Sequence, residues 1–427
     1  MIGQEFVEPM LYGLELYLLI NNWRTLGYYR SWAKNREKDN SANPEKYPDL
    51  EPNFISIIVP ALREEKVIGR TIEHLQKVDY PKDKYEILLA TYESDKPTRD
   101  VVHEKMKLYP NVHEALNEKP FPSNKAKNVN NAFGYLDKET KIVGFQDAED
   151  VISTDIFRNA NCLLYGEEED AVQFEVLPEK GERTLTGRSY DLMFVKGHRF
   201  ILKERQNMGY PVPFAGVGMY LKKDTLDEMM RLDGYLLDEG NLTEDLELAV
   251  RMHRHGYKIR FCNASPTREK FPDDFSRAMK QRTRWTLGTL QTIDKHELRN
   301  MGEYIKNFIR RKKGFDYSAL SSGLWGPITG IGAYLLVAGL TNQDIIEQYS
   351  ALWYLAALNT VGASEDLFVT PYLAMKEYGG GPAEYSKYVA SSILNNYLNF
   401  RAVISASGKY LENKVTGKAP EWYKTPR

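Results

Sequence analysis

KIVGFQDAEDVIS, Lys141 to Ser153, runs a short apolar segment directly into three acidic side chains, Asp147, Glu149 and Asp150. An apolar run of this length reads as a buried strand, and the acids then stand at its carboxyl end. The same punctuation occurs upstream. FISIIVP, Phe54 to Pro60, is a β-branched run of strand length, and REEKVIGRTIEHLQKVDYP after it places Val67, Ile68, Ile72 and Leu75 on one helical face. A second strand, YEILLATY, is followed by helices expected over Thr98 to Leu108 and Lys127 to Leu136. Alternation of strand and helix predicts an α/β fold with a mostly parallel sheet covered on both faces. Ligands in such sheets gather beyond the carboxyl ends of the strands, where strand order switches. Pro60 to Glu65, Tyr92 to Asp95 and Asp147 to Asp150 all fall at ends of this kind.

The chain of 427 residues carries 57 Lys and Arg against 59 Asp and Glu, a formal net charge of -2. No global field draws it to nucleic acid, so an anionic ligand must be held by local groups. Its two cysteines, Cys162 and Cys262, sit in apolar surroundings and read as core residues in a reducing compartment. An N-terminal patch, PMLYGLELYLLINNW, spaces Leu11, Leu14, Leu18 and Leu19 helically around Glu15 and lacks the marks of a signal peptide. It suits a helix lying at a membrane surface and equally a helix packed on its own protein. Arg36 to Asn53 is a polar linker.

The middle of the chain mixes strands, AVQFEVLP and YKIRFC, with helices, LMFVKGHRFILKERQNM and LTEDLELAVRMHRHG. Composition shifts after about Asn300. A basic cluster, Arg310 to Lys313, precedes Tyr317 to Gln343, which has no formal charge and exceeds the roughly 20 residues that span a bilayer. Weaker apolar stretches follow at Ala351 to Ala363 and at Tyr388 to Ala406, the latter broken by Arg401. This region is expected to associate with a membrane, basic cluster on the cytoplasmic side, or else to form a helical domain with one very apolar core helix. A mean hydropathy of -0.51 argues against a many-span transporter. Three parts result: a membrane-proximal helix and linker over 1–50, an α/β domain over 51–300 and a helical region over 301–427.

Asp147 and Glu149 are spaced to hold Mg²⁺ or Mn²⁺ through carboxylate oxygens, with a diphosphate completing the ion's shell. The alternative is that they cap the turn or helix beginning at Ser153 or Thr154. Asp245 falls in the first turn of an amphipathic helix whose Leu246, Ala249 and Val250 pack inward, where it can accept a hydroxyl proton as a general base. Alternatively Asn241 and Glu244 make a capping-box-like start and the acids serve only the helix dipole. Gln281, Arg284 and Trp285 in RAMKQRTRWTLGTLQTI offer a guanidinium for a departing diphosphate and an indole for a sugar ring; a basic amphipathic helix with a Trp anchor would look the same. Gly216 and Gly218 in PFAGVGMYL make no dinucleotide fingerprint, since the third glycine and its strand-helix setting are absent. His253 and His255 end a helix before Gly256 and are not expected to bind metal.

In this order the motifs resemble those of the family 2 glycosyltransferases, the processive membrane-linked class that includes cellulose and hyaluronan synthases. The residues that carry the likeness are Pro60-Ala61, Lys125-Ala126-Lys127-Asn128, Asp147-Ala148-Glu149, Thr243-Glu244-Asp245 and Gln281-Arg282-Thr283-Arg284-Trp285, and it covers Phe54 to about Asp294. TYESDKPTR, QDAEDVIS, TREKFPDDFSRAMKQRTRW and GKAPEWYKT resemble the bacterial phage-adsorption protein B branch. The resemblance implies a type A glycosyltransferase fold with a Rossmann-like, mostly parallel sheet, an NDP-sugar donor with uridine as the base, a divalent metal and inversion at the anomeric carbon. It places the catalytic domain at the cytoplasmic face of the cell membrane, acting on a glycan or lipid-linked acceptor in surface polysaccharide synthesis. Asp147 would touch donor phosphate or metal and Glu149 would ligand the metal. Pro60, Ala61, Glu64, Tyr92, Glu93, Lys125, Gln281 and Arg284 would bind the donor. Asp245 would be the base, with Trp285, Gly216 and Glu244 on the acceptor side. Two departures stand out. Leu62 and Arg63 replace the Tyr and Asn that many members carry after the first strand, and Thr91 and Tyr92 replace paired Asp residues. Base recognition therefore falls to Tyr92, Glu93 or Asp95.

Two other function classes fit parts of this pattern. A catalytically idle scaffold in a polysaccharide or phage-receptor assembly would keep the fold, but has no use for Asp147, Glu149, Asp245, Arg284 and Trp285 together. A nucleotidyltransferase would share metal and nucleotide, yet gives no reason for the Gln281 to Trp285 helix.

Overall fold

The computed structural model describes residues 27–28, 30–31, 34, 40–118, 124–181, 183–296 and 365–417. The N-terminal leucine patch, the Arg310 to Lys313 cluster and the apolar stretches Tyr317 to Gln343 and Ala351 to Ala363 lie outside the described residues.

Strand β1 (Ile55–Pro60) and helix α1 (Ile68–Leu75) open the domain, followed by β2 (Tyr85–Tyr92), α2 (Lys96–Leu108), β3 (Val112–Asn117), α3 (Lys125–Phe133) and β4 (Ile142–Phe145). Next come β5 (Val151–Ile152), α4 (Ile156–Asn161), β6 (Ala171–Pro178) and α5 (Leu185–Phe194), which runs on through π-helical turns at Val195–Leu202 to Asn207. The remainder is β7 (Met219–Lys222), α6 (Lys223–Asp233), α7 (Glu244–Arg254), β8 (Ile259–Glu269), α8 (Phe275–His296), α9 (Thr370–Tyr378) and α10 (Pro382–Thr416).

The strands make one eight-stranded sheet in the order β3-β2-β1-β4-β7-β6-β8-β5. β1 pairs in parallel with both β2 and β4, Ile55 opposite Tyr85 on one side and Ile142 on the other. Chain order therefore reverses direction at β1, and the carboxyl ends of β1 and β4 flank a crevice. Antiparallel β7 lies beyond β4, so the sheet is mixed.

The unbroken apolar strands follow from this layering, because each face of the sheet is buried. Side chains alternate between two cores. Ile55, Ile57, Val59, Ile87 and Leu89 meet Ile68, Ile72 and Leu75 of α1 and Phe157 of α4. Ile58, Leu88, Val143 and Phe145 turn the other way onto Val129 of α3 and Leu248, Ala249 and Met252 of α7. The strand ends are thus held by apolar burial on both sides, about 1.5–3 kcal/mol for each aliphatic side chain.

Three strands were not anticipated: edge strand β3, two-residue β5 and four-residue β7, all too short or too polar to show a hydrophobic run. β8 also runs on beyond Cys262 to Glu269, past a register shift opposite Phe174 to Val176 and past Pro266, the punctuation that hides its second half in the sequence. Both cysteines are free and buried, as expected. The apolar stretch Tyr388 to Ala406 belongs to α10, whose buried side includes Tyr388, Leu398, Ala402 and Ala406. Tyr388 and Leu398 pack into clusters with α5, and Ala406 joins Leu287 of α8. Among the described residues no helix is long and apolar enough to cross a membrane.

Candidate active site

A cavity of about 420 Å³ opens at the crevice between β1 and β4. Pro60, Glu64, Tyr92, Lys125, Asp147, Gly216, Glu244, Asp245, Gln281, Arg284 and Trp285 all line it, although they span more than half of the chain. The acidic stretch that follows β4 divides its labour. Asp150 is buried and its Oδ2 accepts the Asp147 amide at 2.9 Å and Gln146 Nε2 at 2.8 Å. The turn is thereby fixed by Asp150, which leaves Asp147 on the cavity wall. Carboxylate oxygens of Asp147, Glu149 and Glu269 all lie within 4.8 Å of one another.

Glu269 has no place in the sequence reading, because β8 is not recognisable beyond Cys262. It arrives from the end of β8, and its nearness to the Asp147 acid pair depends on that extension. Three clustered carboxylates suit a hard divalent ion such as Mg²⁺ or Mn²⁺.

Lys125 starts α3, whose first turn is capped by Asn124 Oδ1 accepting the Lys127 amide at 2.8 Å. Its ammonium lies 2.7 Å from Asp147 Oδ1 and donates to the Gly216 carbonyl at 2.9 Å. Gly216 has φ +83, and a Cβ there would sit 3.1 Å from Asp245 Oδ2. A left-handed backbone and this close approach both call for glycine. Lys125, Asp147, Gly216 and Asp245 are therefore near neighbours.

Asp245 lies in the first turn of α7 as expected, and the alternative start, a capping box made by Asn241 and Glu244, is absent. Thr243 is the N-cap without a side-chain cap bond, and Asn241 Oδ1 accepts the Thr243 amide at 2.9 Å instead. Helix α8 fixes this start. A Cβ on Gly288 would lie 2.5 Å from Thr243 Oγ1, so only glycine lets α8 press against the residue before Glu244. Arg284 Nη1 donates to the Leu242 carbonyl at 2.9 Å, while its Nε is buried without a partner among the described residues. Gln281 Oε1 accepts from the Tyr190 hydroxyl at 2.7 Å, and Tyr190 meets Trp285 edge-on at 6.3 Å.

Burial dominates the electrostatics. It works against the Lys125 charge, but Asp147, Glu244 and Asp245 more than reverse this, and its pKa stands above the usual lysine value. Burial raises Asp245, and burial together with the Asp245 charge pushes Glu244 up to about 7. Glu269 is pushed up to about 8, first by burial and then by Asp147. Carboxyls raised in this way by burial and by one another's charge are groups that added positive charge would stabilise in their ionised form.

Some expected residues fall elsewhere. Ala61 is fully buried behind the wall, its amide donating to the Ala90 carbonyl at 2.8 Å as an extension of the β1–β2 ladder. Glu93 is exposed and off the wall; its amide donates to Asn117 across the β2–β3 edge, and the side chain points to solvent. Asp95 is engaged by the Arg63 amide at 2.5 Å. Of the three expected base contacts Tyr92 alone lines the cavity, beside Leu62. His253 bonds the Val212 carbonyl at 2.9 Å and His255 bonds Asp233 at 3.0 Å, so they form no metal pair.

A family model described as glycosyltransferase like family 2 matches residues 52–288. The chain belongs to glycosyltransferase family 2. Among its relatives, bacteriophage adsorption protein B of Escherichia coli strain K12 is 31% identical over 274 residues, covering 56% of this chain and 36% of that protein. A probable glycosyltransferase, YdaM of Bacillus subtilis strain 168, is 25% identical over 262 residues, covering 61% of this chain and 59% of that one. The chain thus spans less than two thirds of the length of either relative. The family expected from the motif order is borne out, and the similarity to adsorption protein B is consistent with the expected branch. Among solved structures, the mannosyltransferase PcManGT from Pyrobaculum calidifontis in complex with GDP-Man and Mn²⁺ aligns with a TM-score of 0.55. It is 18% identical and the alignment covers 95% of this chain and 99% of that one, which shows a common fold. The sheet and helices described above are thus the type A family 2 architecture.

Proposed function

We propose that this family 2 protein transfers a sugar from a nucleotide-diphosphate donor to a hydroxyl of a glycan or lipid-linked acceptor, with inversion at the anomeric carbon. The observation that carries this reading is the convergence of Lys125, Asp147, Gly216 and Asp245 at one cavity, a base and a phosphate-binding cation within a few ångströms. Asp245 accepts the acceptor's hydroxyl proton as that oxygen attacks the anomeric carbon. The bond from the anomeric carbon to the diphosphate oxygen breaks in the same displacement, and the electron pair leaves on the diphosphate. Lys125 and Arg284 face the charge that develops there, and being fixed in advance they need little reorganisation. Asp147, Glu149 and Glu269 would hold a divalent cation, which supplies Lewis-acid neutralisation of the diphosphate. Trp285 offers a flat apolar face to a sugar ring.

Uridine as the base rests on family likeness, and the Mn²⁺ and GDP-Man named for PcManGT make GDP-sugars the second donor class to test. Catalysis is assigned to 51–300, with 1–50 and 301–427 holding it at the cytoplasmic face of a membrane for surface polysaccharide synthesis. Support comes from α10, where Ile393, Tyr397, Ile404, Leu411 and Val415 are exposed at helical spacing among the described residues. Incubation with a panel of UDP- and GDP-sugars and Mn²⁺ or Mg²⁺ tests the activity. Metal-dependent release of nucleoside diphosphate from at least one donor is expected; no release from any donor, with membranes supplied as acceptor, overturns it.

A further inference from the structure

Helix α5 departs from regular pitch over Val195–Leu202, where its turns widen to π geometry. Such widening weakens backbone bonding and recurs at functional sites. His198 lies in this stretch, buried, and lines the cavity with Met193, Phe194 and Gly197. The Phe194 ring stacks on the imidazole with centroids 5.3 Å apart and planes 19° from parallel. From β6, the Val176 amide donates to His198 Nδ1 at 3.1 Å. An amide N–H can only donate, so Nδ1 holds its lone pair and the proton of the neutral ring sits on Nε2. No described residue takes up that Nε2. Burial lowers the pKa of the ring to about 3, which keeps it neutral at physiological pH.

Phe194 and Trp285 line the same cavity, and buried Phe271 and Tyr190 join them from behind its wall. Phe194 lies 4.4 Å from Phe271, Phe271 stacks on Tyr190 at 4.8 Å, and Tyr190 meets Trp285 at 6.3 Å, so His198 and Trp285 end one continuous run. The cations of the cavity wall are placed differently: Lys125 bonds Asp147 and Arg284 bonds the Leu242 carbonyl.

We propose that His198 is an acceptor-binding residue whose Nε2–H donates to a hydroxyl oxygen of an uncharged sugar lying along the Phe194 to Trp285 wall. The inference deepens the sugar-transfer reading and rests on it. A neutral donor set in an apolar wall provides no charge to offset the desolvation of a phosphate or carboxylate, whereas a hydroxyl needs only the hydrogen bond. The acceptor class is therefore a neutral carbohydrate.

Two variants separate this role from a structural one. His198→Asn keeps an oxygen at the Nδ1 position for the Val176 amide and loses the donor; His198→Gln keeps an N–H at the Nε2 position. With the purified full chain, hydrolysis of the donor by water and transfer of radiolabelled sugar into a membrane extract are measured side by side. The expected result is about a tenfold loss of transfer for His198→Asn, hydrolysis within about twofold of the parent, and substantial recovery of transfer in His198→Gln. Equal loss of hydrolysis and transfer, recovery by Asn rather than Gln, or no change in either variant overturns the assignment. Spectra of the chain labelled with ¹⁵N-histidine at pH 7, the resonance assigned through His198→Asn, should show the Nε2–H tautomer; an Nδ1–H tautomer overturns it without reference to activity. A parent chain that neither hydrolyses nor transfers from any donor sinks the sugar-transfer reading instead, and the spectrum still judges the histidine.

Discussion

At the residue scale the site is governed by how few groups offset the buried acids. Lys125 is bonded to Asp147, and the third acid, Glu269, is pushed up to about 8 by burial and by Asp147. Glu269→Gln is therefore expected to weaken Mn²⁺ binding about tenfold or more, read by calorimetry, with the fold unchanged by circular dichroism. Wild-type affinity in this variant would remove Glu269 from the ligand set. The pKa of Asp245 is raised by burial, and the base must be ionised to act. Activity should consequently fall as pH drops through a value above the ordinary aspartate value of about 4, and the acid limb of kcat/KM should lie correspondingly high. A limb at or below about pH 4 would contradict the assignment.

At the scale of elements, α7 and α8 set the geometry by touching at two places. Near their first contact Gly288 meets Thr243, and Gly288→Ala would push the start of α7, and with it Asp245, by several tenths of an ångström or more. Small displacements of a reacting group are costly, so transfer should fall by about one to two orders of magnitude while the protein stays folded. Parent-like rates would show that α7 has slack there. Farther along, Glu247 is fully buried and bonded by Arg251 at 2.9 Å and His296 at 2.8 Å, with Lys295 at 3.2 Å. Burial opposes its charge, but these partners prevail and hold its pKa at about 2. The unfolded chain has about 4.3, so this group's stabilisation is complete above about pH 4 and is lost as pH falls toward 2. Glu247→Ala should cost about 3–5 kcal/mol in urea melts at pH 7, and the difference from the parent should narrow at pH 3. A pH-independent difference would refute the linkage.

At the scale of the whole molecule, α10 braces α8, the helix that carries Gln281, Arg284 and Trp285, although it lies outside the residues that match the family model. Arg282, buried between Gln281 and the Arg284-Trp285 pair, donates to Asn395 Oδ1 at 2.7 Å and Asn399 Oδ1 at 2.8 Å on α10 and to Ser189 Oγ at 2.7 Å on α5. Its guanidinium also covers the Tyr190 ring at 4.8 Å. The paired change Asn395→Ala with Asn399→Ala should loosen α10, raise its protease sensitivity and lower transfer together; intact transfer with α10 released would show the catalytic domain to be self-sufficient. The central strands, the strand ends that meet at the crevice and the charged groups of the cavity wall other than Glu269 were legible in the sequence. Apolar runs such as FISIIVP and YEILLATY have one meaning in a sheet covered on both faces. Glu269 was hidden because the irregularity around Ser265 and Pro266 breaks the pattern of β8, and His198 because a ring's tautomer depends on the Val176 amide, distant in sequence. Glu93 misled for a simpler reason, since alternation along an edge can send a strand-end side chain either to the cavity or to solvent.

The most direct test of convergence at one cavity compares donor binding and sugar transfer in Asp245→Asn. Calorimetry with nucleoside diphosphate and Mn²⁺ should give the parent's affinity, while transfer from the active donor falls by about 10²–10⁴. Transfer at the parent's rate, or loss of nucleotide binding in equal measure, would contradict the account.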